Sequence, residues 1–151
     1  MKLTRLVALF IVVGGLAFAA ANEGWMTDLE AAKARSAREH KPLLIEFTGS
    51  VWCGPCIALH KKVLTTAEFA EFSRNVVLIA LDYPTLSERA PEKVKANPEL
   101  ARLMAIKEQY GVPGFPTVIY YDADGKQLAK ISGYGGDSPT AFLAKLTGSA
   151  K

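Results

Sequence analysis

The only two cysteines of this 151-residue chain stand three positions apart, in the segment Trp52-Cys53-Gly54-Pro55-Cys56. A Cys-x-x-Cys pair supports two chemistries: a redox couple, or half of a tetrahedral metal site. A zinc site needs two more sulfur or nitrogen ligands. The only histidines, His40 and His60, have no partner at ligand spacing, so no metal is expected. Stabilisation is a poor account of the pair, because a cross-link gains most by closing a long loop. Thiol–disulfide exchange suits the spacing better. A thiolate at Cys53, where a helix is expected to begin, would face unsatisfied N–H groups that lower its pKa, whereas Cys56 one turn inside is sheltered. Cys53 is therefore the candidate nucleophile and Cys56 the candidate resolving thiol. A reversible Cys53–Cys56 disulfide would be the redox group, with no other cofactor.

The elements that must position this pair are readable from pattern. Thr27 or Asp28 can cap a helix running to about His40, and Pro42 stops it. Leu43 to Phe47 reads as a buried strand leading into the cysteines, and a helical pattern runs from Cys53 to about Leu64. Thr65-Thr66-Ala67-Glu68 resembles a capping box for the next helix. Val76 to Leu81 is an apolar, β-branched run closed by Asp82, as expected of a strand covered on both faces. Pro84 to Asn97 is charged and proline-containing and reads as a solvated loop or a partner-selecting insert. Asn97-Pro98-Glu99 then starts a helix to about Tyr110. Thr117–Tyr121 and Gln127–Ile131 flank Asp124-Gly125 as a hairpin, and Ser138-Pro139 opens a last helix. This alternation predicts an α/β domain with a mixed central sheet of about four strands and helices on both faces.

Trp52-Cys53-Gly54-Pro55-Cys56 resembles the active-site motif of the thioredoxin family. A second segment, Gly111-Val112-Pro113-Gly114-Phe115-Pro116-Thr117, is similar to the family's loop that carries a cis-proline beside the cysteines. The likeness in element order runs from about Trp25 to Leu146. It implies a thioredoxin fold and protein dithiol or disulfide substrates. It also implies a cis Pro116, with Trp52, Gly54, Pro55, Phe115 and Pro116 forming the substrate-binding surface. Thioredoxins place a buried aspartate on the strand before the cysteines; here Glu46 occupies that stretch, one residue further away, and would relay the proton of Cys56. The family's lysine on the next strand is absent, and Thr48 replaces a tryptophan. Phe47-Thr48-Gly49-Ser50 is closer to exported relatives, including disulfide-isomerase and cytochrome-maturation proteins.

Half of the residues are apolar and 22% charged, enough for one domain with a real core. Lys2 and Arg5 precede an unbroken run from Leu6 to Ala21 without a polar side chain, ending in Ala19-Ala20-Ala21. This is the pattern of a secretory signal peptide, too short for a membrane span. The expected organisation is a leader over 1–21, cleaved near Ala21, and a thioredoxin-like domain over 22–151, exported to a bacterial periplasm. Retention of the leader as an anchor is the alternative. Its removal leaves sixteen basic against fifteen acidic residues, a net +1. The whole-chain pI of 8.9 is thus no sign of nucleic-acid binding, and a soluble monomer is expected.

The activity these features imply is a protein-disulfide reductase or isomerase drawing electrons from a membrane donor, because Gly-Pro between the cysteines resembles the family's reducing members. A net dithiol oxidase and a redox-silent binding or chaperone module on the same fold remain open.

Overall fold

The computed structural model describes residues 24–149, and the expected leader over 1–21 lies outside them. Successive helices and strands follow the capping chemistry closely. Asp28 accepts a hydrogen bond from the Ala31 N–H and starts α1 (Leu29–Glu39). β2 (Leu43–Thr48) leads through a short loop to α2 (Gly54–Leu59), which continues as a wider π-helical turn over His60–Leu64. Then come α3 (Ala67–Ser73), β3 (Val77–Asp82), a 3-10 turn (Leu86–Arg89) and α4 (Pro91–Ala96). The chain closes with α5 (Pro98–Gln109), β4 (Thr117–Tyr121), β5 (Gln127–Ser132) and α6 (Pro139–Thr147). Asn97 accepts from the N–H groups of Glu99 and Leu100 at 3.1 Å each, and Ser138 accepts from that of Ala141 at 3.2 Å.

The sheet has five strands in the order β1-β3-β2-β4-β5, one more than the sequence suggests. The addition is β1 (Trp25–Met26), which runs parallel to β3 with Trp25 opposite Leu78. Two residues are too few to show a strand period, so pairing on an open edge decides this element. β2 is parallel to β3 and antiparallel to β4, and β5 closes the terminal hairpin.

Alternation along the strands divides the interior into two layers. Leu43, Ile45 and Phe47 of β2 join Val77, Ile79 and Leu81 of β3 on the face covered by α1 and α5. Leu44, Leu78, Val118 and Tyr120 point the other way and pack with Leu59, Val63, Phe69, Phe142 and Leu146. Glu46 falls between Ile45 and Phe47 in phase with Leu44, so it shares the face bearing the cysteine helix.

Two local readings are corrected. The cap of α3 is Thr66, which accepts from the Phe69 N–H at 3.3 Å, while the Thr65 hydroxyl donates to the carbonyls of His60 and Lys61. The Thr65/Glu68 box is pre-empted because Thr65 still belongs to the preceding helical segment. The stretch from Pro84 to Asn97 is not a bare loop but carries the 3-10 turn and α4. Thr85 caps that turn reciprocally with Glu88.

Phe142 is fully buried and joins α6 to the second layer. Phe142→Ala should lower the unfolding free energy by about 3–5 kcal/mol. Denaturant titration of the oxidised protein checks this.

Candidate active site

The Cys53 and Cys56 side chains are joined in a disulfide with a Cα–Cα separation of 5.2 Å. Cys53 is the N-cap of α2, and its Sγ accepts a 3.3 Å hydrogen bond from the Cys56 N–H. Cys53 is 6% exposed and Cys56 1%. The outer cysteine of the oxidised pair is therefore more covered than a position at a helix start implies. Gly54 and Pro55 lie exposed beside it.

The loop entering the pair is pinned from β3. Asp82 accepts from the Ser50 N–H at 2.8 Å and from the Ser50 hydroxyl. One residue on, the Tyr83 carbonyl accepts a 2.7 Å hydrogen bond from the Trp52 indole N–H. Gly49 is needed beneath the indole, where a Cβ would overlap the Trp52 ring. The Tyr83 hydroxyl donates to the Leu103 carbonyl at 2.9 Å, tying this corner to α5.

β4 brings the second motif to the same end of the sheet. Thr117 lies opposite Phe47, next to where β2 turns toward the cysteines. The Phe115–Pro116 peptide is cis, and Pro116 is buried. The Thr117 hydroxyl donates to the Gly114 carbonyl at 2.8 Å and holds the turn closed. The Phe115 ring meets Trp52 edge-on with centroids 5.8 Å apart and lies 4.8 Å from Tyr83.

Glu46 is 3% exposed and lines a cavity of about 580 Å³ together with Cys56, Thr48, His60, Lys61 and Asp82. Burial pushes its carboxyl up to about 7, the Thr48 hydroxyl pulls it partly back, and the nearby Asp82 charge raises it again. Its cross-strand partner on β3 is Ala80, so the sheet places no cation beside it. Among the described residues, no group of three or more His, Cys, Asp or Glu side chains could hold a metal ion.

The structure thus brings Cys53, Cys56, Trp52, Phe115 and Pro116 to one end of the sheet, with Glu46 reaching Cys56's side of it through the cavity. Two residues that hold the site, Asp82 and Tyr83, carry no local signal of that role in the sequence. In sequence Asp82 reads only as a strand end, and nothing local marks Tyr83 as the partner of Trp52.

A family model described as a thioredoxin-like domain matches residues 29–148. The chain belongs to the thioredoxin-like family. Over 134 residues it is 35% identical to the disulfide bond reductase DsbH of Chlamydia pneumoniae, spanning 88% of this chain and 76% of that protein. It is 24% identical over 119 residues to the thioredoxin-related protein DsbJ of the same organism, covering 76% of this chain and 31% of that protein. A solved DsbH oxidoreductase structure matches with a TM-score of 0.64 at 29% identity, covering 97% of this chain and 93% of that one. A thioredoxin from Thermus thermophilus shares the fold at a TM-score of 0.56 and 17% identity, covering 82% and 84% of the two chains. Within this family the chain is a thiol–disulfide oxidoreductase.

The raised Glu46 carboxyl has a measurable consequence. The folded chain holds this proton up to about pH 7, whereas an ordinary carboxyl releases it near 4.5. Between these values the folded state binds more protons than the unfolded one, so stability falls as pH rises. The loss across that window should be on the order of 3 kcal/mol for wild type relative to Glu46→Gln. Unfolding curves of the two proteins from pH 4 to 8 test this, and parallel pH dependences would refute it.

Proposed function

We propose that this protein is an exported, periplasmic protein-disulfide reductase, also able to isomerise, working as a soluble monomer after loss of its leader. The observation that carries the reading is the placement of the Cys53–Cys56 disulfide at the start of α2, with Cys56 and the buried Glu46 lining one cavity. The reductive direction is supported by Gly54-Pro55 and by the likeness to a protein named disulfide bond reductase. Export is supported by the basic, apolar and small-residue pattern of residues 1–21.

In the reduced protein, the Cys53 thiolate attacks one sulfur of a substrate disulfide, and the other substrate sulfur leaves as a thiolate. Free N–H groups at the start of α2 favour the Cys53 thiolate. The substrate is then tethered to Cys53. Glu46, poised near neutrality, takes the proton of Cys56 across the cavity. The Cys56 thiolate attacks the Cys53 sulfur, the second substrate thiol is released, and the Cys53–Cys56 disulfide remains. Two electrons have passed to the substrate, and a dithiol donor, proposed to sit in the membrane, must return them. Trp52, Gly54, Pro55, Phe115 and cis Pro116 form the surface along which an extended substrate segment lies. No metal or organic cofactor enters this cycle.

Cys53→Ser should abolish disulfide reduction, whereas Cys56→Ser should accumulate mixed disulfides visible on non-reducing gels. Normal turnover by the Cys53→Ser protein would sink the mechanism. The direction is tested by the reduction potential, followed through Trp52 fluorescence in dithiol/disulfide buffers. A value near about −270 mV supports a reductase, and one near about −120 mV makes the protein an oxidant. A pair that does not titrate reversibly would leave a binding module.

A further inference from the structure

The segment between β3 and α5 places a cation at the rim of the redox pair. The Arg89 guanidinium lies over the Trp52 ring at 5.2 Å and over the Phe115 ring at 5.3 Å. These rings stand nearly perpendicular, at 86°, so the guanidinium occupies the corner between them. Stacking on two aromatic faces holds a long side chain that would otherwise be mobile. Among the described residues, its only hydrogen bond is a long one, 3.4 Å, from Nε to the Thr85 carbonyl. No carboxylate forms an ion pair with it among the described residues, although Glu88 stands one position away. Glu88 is engaged instead with the backbone N–H and the hydroxyl of Thr85. Among the described residues nothing takes up the terminal N–H groups of Arg89, which leaves them open to something else.

The location says what that something is. Trp52 directly precedes Cys53, and Phe115 directly precedes the cis proline, so the cation stands between the two strips of chain that border the disulfide. Lys107 adds a second positive charge 5.9 Å from the Phe115 ring. Two apolar side chains stand out beside the corner: Val51, 84% exposed before Trp52, and Leu86, 78% exposed on the turn that carries Arg89. A fork of open N–H donors next to apolar shoulders fits a polypeptide bearing a carboxylate better than a free inorganic anion.

We infer that Arg89 is a specificity-determining residue that binds the carboxylate of an acidic side chain close to the cysteine of a partner polypeptide. This inference rests on the proposed reduction of protein disulfides and adds the charge of the preferred substrate. The fork accepts a carboxylate through two parallel N–H···O bonds, and its stacked position reduces the ordering cost at the moment of binding. Cysteines flanked by acidic residues are favoured, and those flanked by lysine are disfavoured.

The test uses the full chain, reduced, against three peptide disulfides that differ only in having Asp, Asn or Lys beside the cysteine. Each rate is divided by the rate of the same peptide with dithiothreitol, which removes the peptide's own reactivity. For wild type, the normalised Asp-to-Asn ratio should be about fivefold, the scale of a partly exposed charge pair. It should fall toward one in high salt. In Arg89→Gln it should be close to one, and Arg89→Lys should lie between because it keeps the charge without the fork. Lys93→Gln removes an exposed cation of α4 and should keep the wild-type ratio. An Asp-to-Asn ratio of one in wild type, or an undiminished ratio in Arg89→Gln, overturns the inference. An equal fall in Lys93→Gln also overturns it, because the preference would then come from diffuse charge. If wild type reduces none of the three peptides, the proposed reductase function fails and the inference falls with it. Measuring the salt dependence on wild type keeps the test valid even if a substitution at Arg89 impairs folding.

Discussion

The pairing of β2 with β3 on one side and β4 on the other is the constraint on which the site depends. β2 is the strand that delivers the chain to Cys53, and its last residues are held in register by Leu81 and Asp82 on one side and Thr117 on the other. Because β3 is parallel to β2, its C-terminal end arrives beside the same loop and supplies Asp82 and the Tyr83 carbonyl. Because β4 is antiparallel, it is its beginning that arrives there, bringing Phe115 and the cis peptide. Three segments distant in sequence therefore meet at one end of the sheet, where the Ser50–Asp82 hydrogen bond and the Trp52–Phe115 and Tyr83–Phe115 ring contacts join their side chains. A slip of one residue in the β2–β3 pairing would turn Glu46 to the opposite layer and separate Trp52 from its acceptor.

The electrostatics of the cavity follow from the same register. Period-two alternation sets Glu46, Thr48 and Asp82 on the face that bears α2. Burying a carboxyl disfavours its charged form, and the second carboxylate nearby works in the same direction. The residue across from Glu46 is Ala80, too short to offer any compensation. The acid is thereby kept close to neutrality, where it can both accept and release a proton under ordinary conditions. Asp82 meanwhile holds Ser50, so one side chain contributes to both the loop's geometry and the cavity's charge.

The aromatic corner has a different origin. Trp52 and Phe115 are brought together by backbone pairing, but the segment from 84 to 97 supplies the cation that rests on them. Its composition, charged and proline-containing, reads as solvated chain because no apolar period runs through it. What orders it is local capping by Thr85 and Glu88, together with the stacking of Arg89 on rings that exist only in the folded protein. The same limit explains β1, whose two residues become a strand only because β3 has an unpaired edge. It also explains α3, where the sequence favours the Thr65/Glu68 box and the preceding π turn leaves the capping role to Thr66.

The amino-acid sequence alone determined the chemistry and its order along the chain: one cysteine pair at redox spacing, a strand before it, helices with strong caps, and a terminal hairpin. These are local properties, set by propensity, periodicity and side-chain bonds to nearby backbone. Tertiary structure decided which residues surround the pair. Asp82 and Tyr83 come from a strand about thirty residues away from the loop they hold. Arg89 reaches the corner only once β3 and β4 flank β2. Even the charge state of Glu46 is a tertiary property, because a carboxyl's ionisation depends on the water and charges around it, and folding sets both.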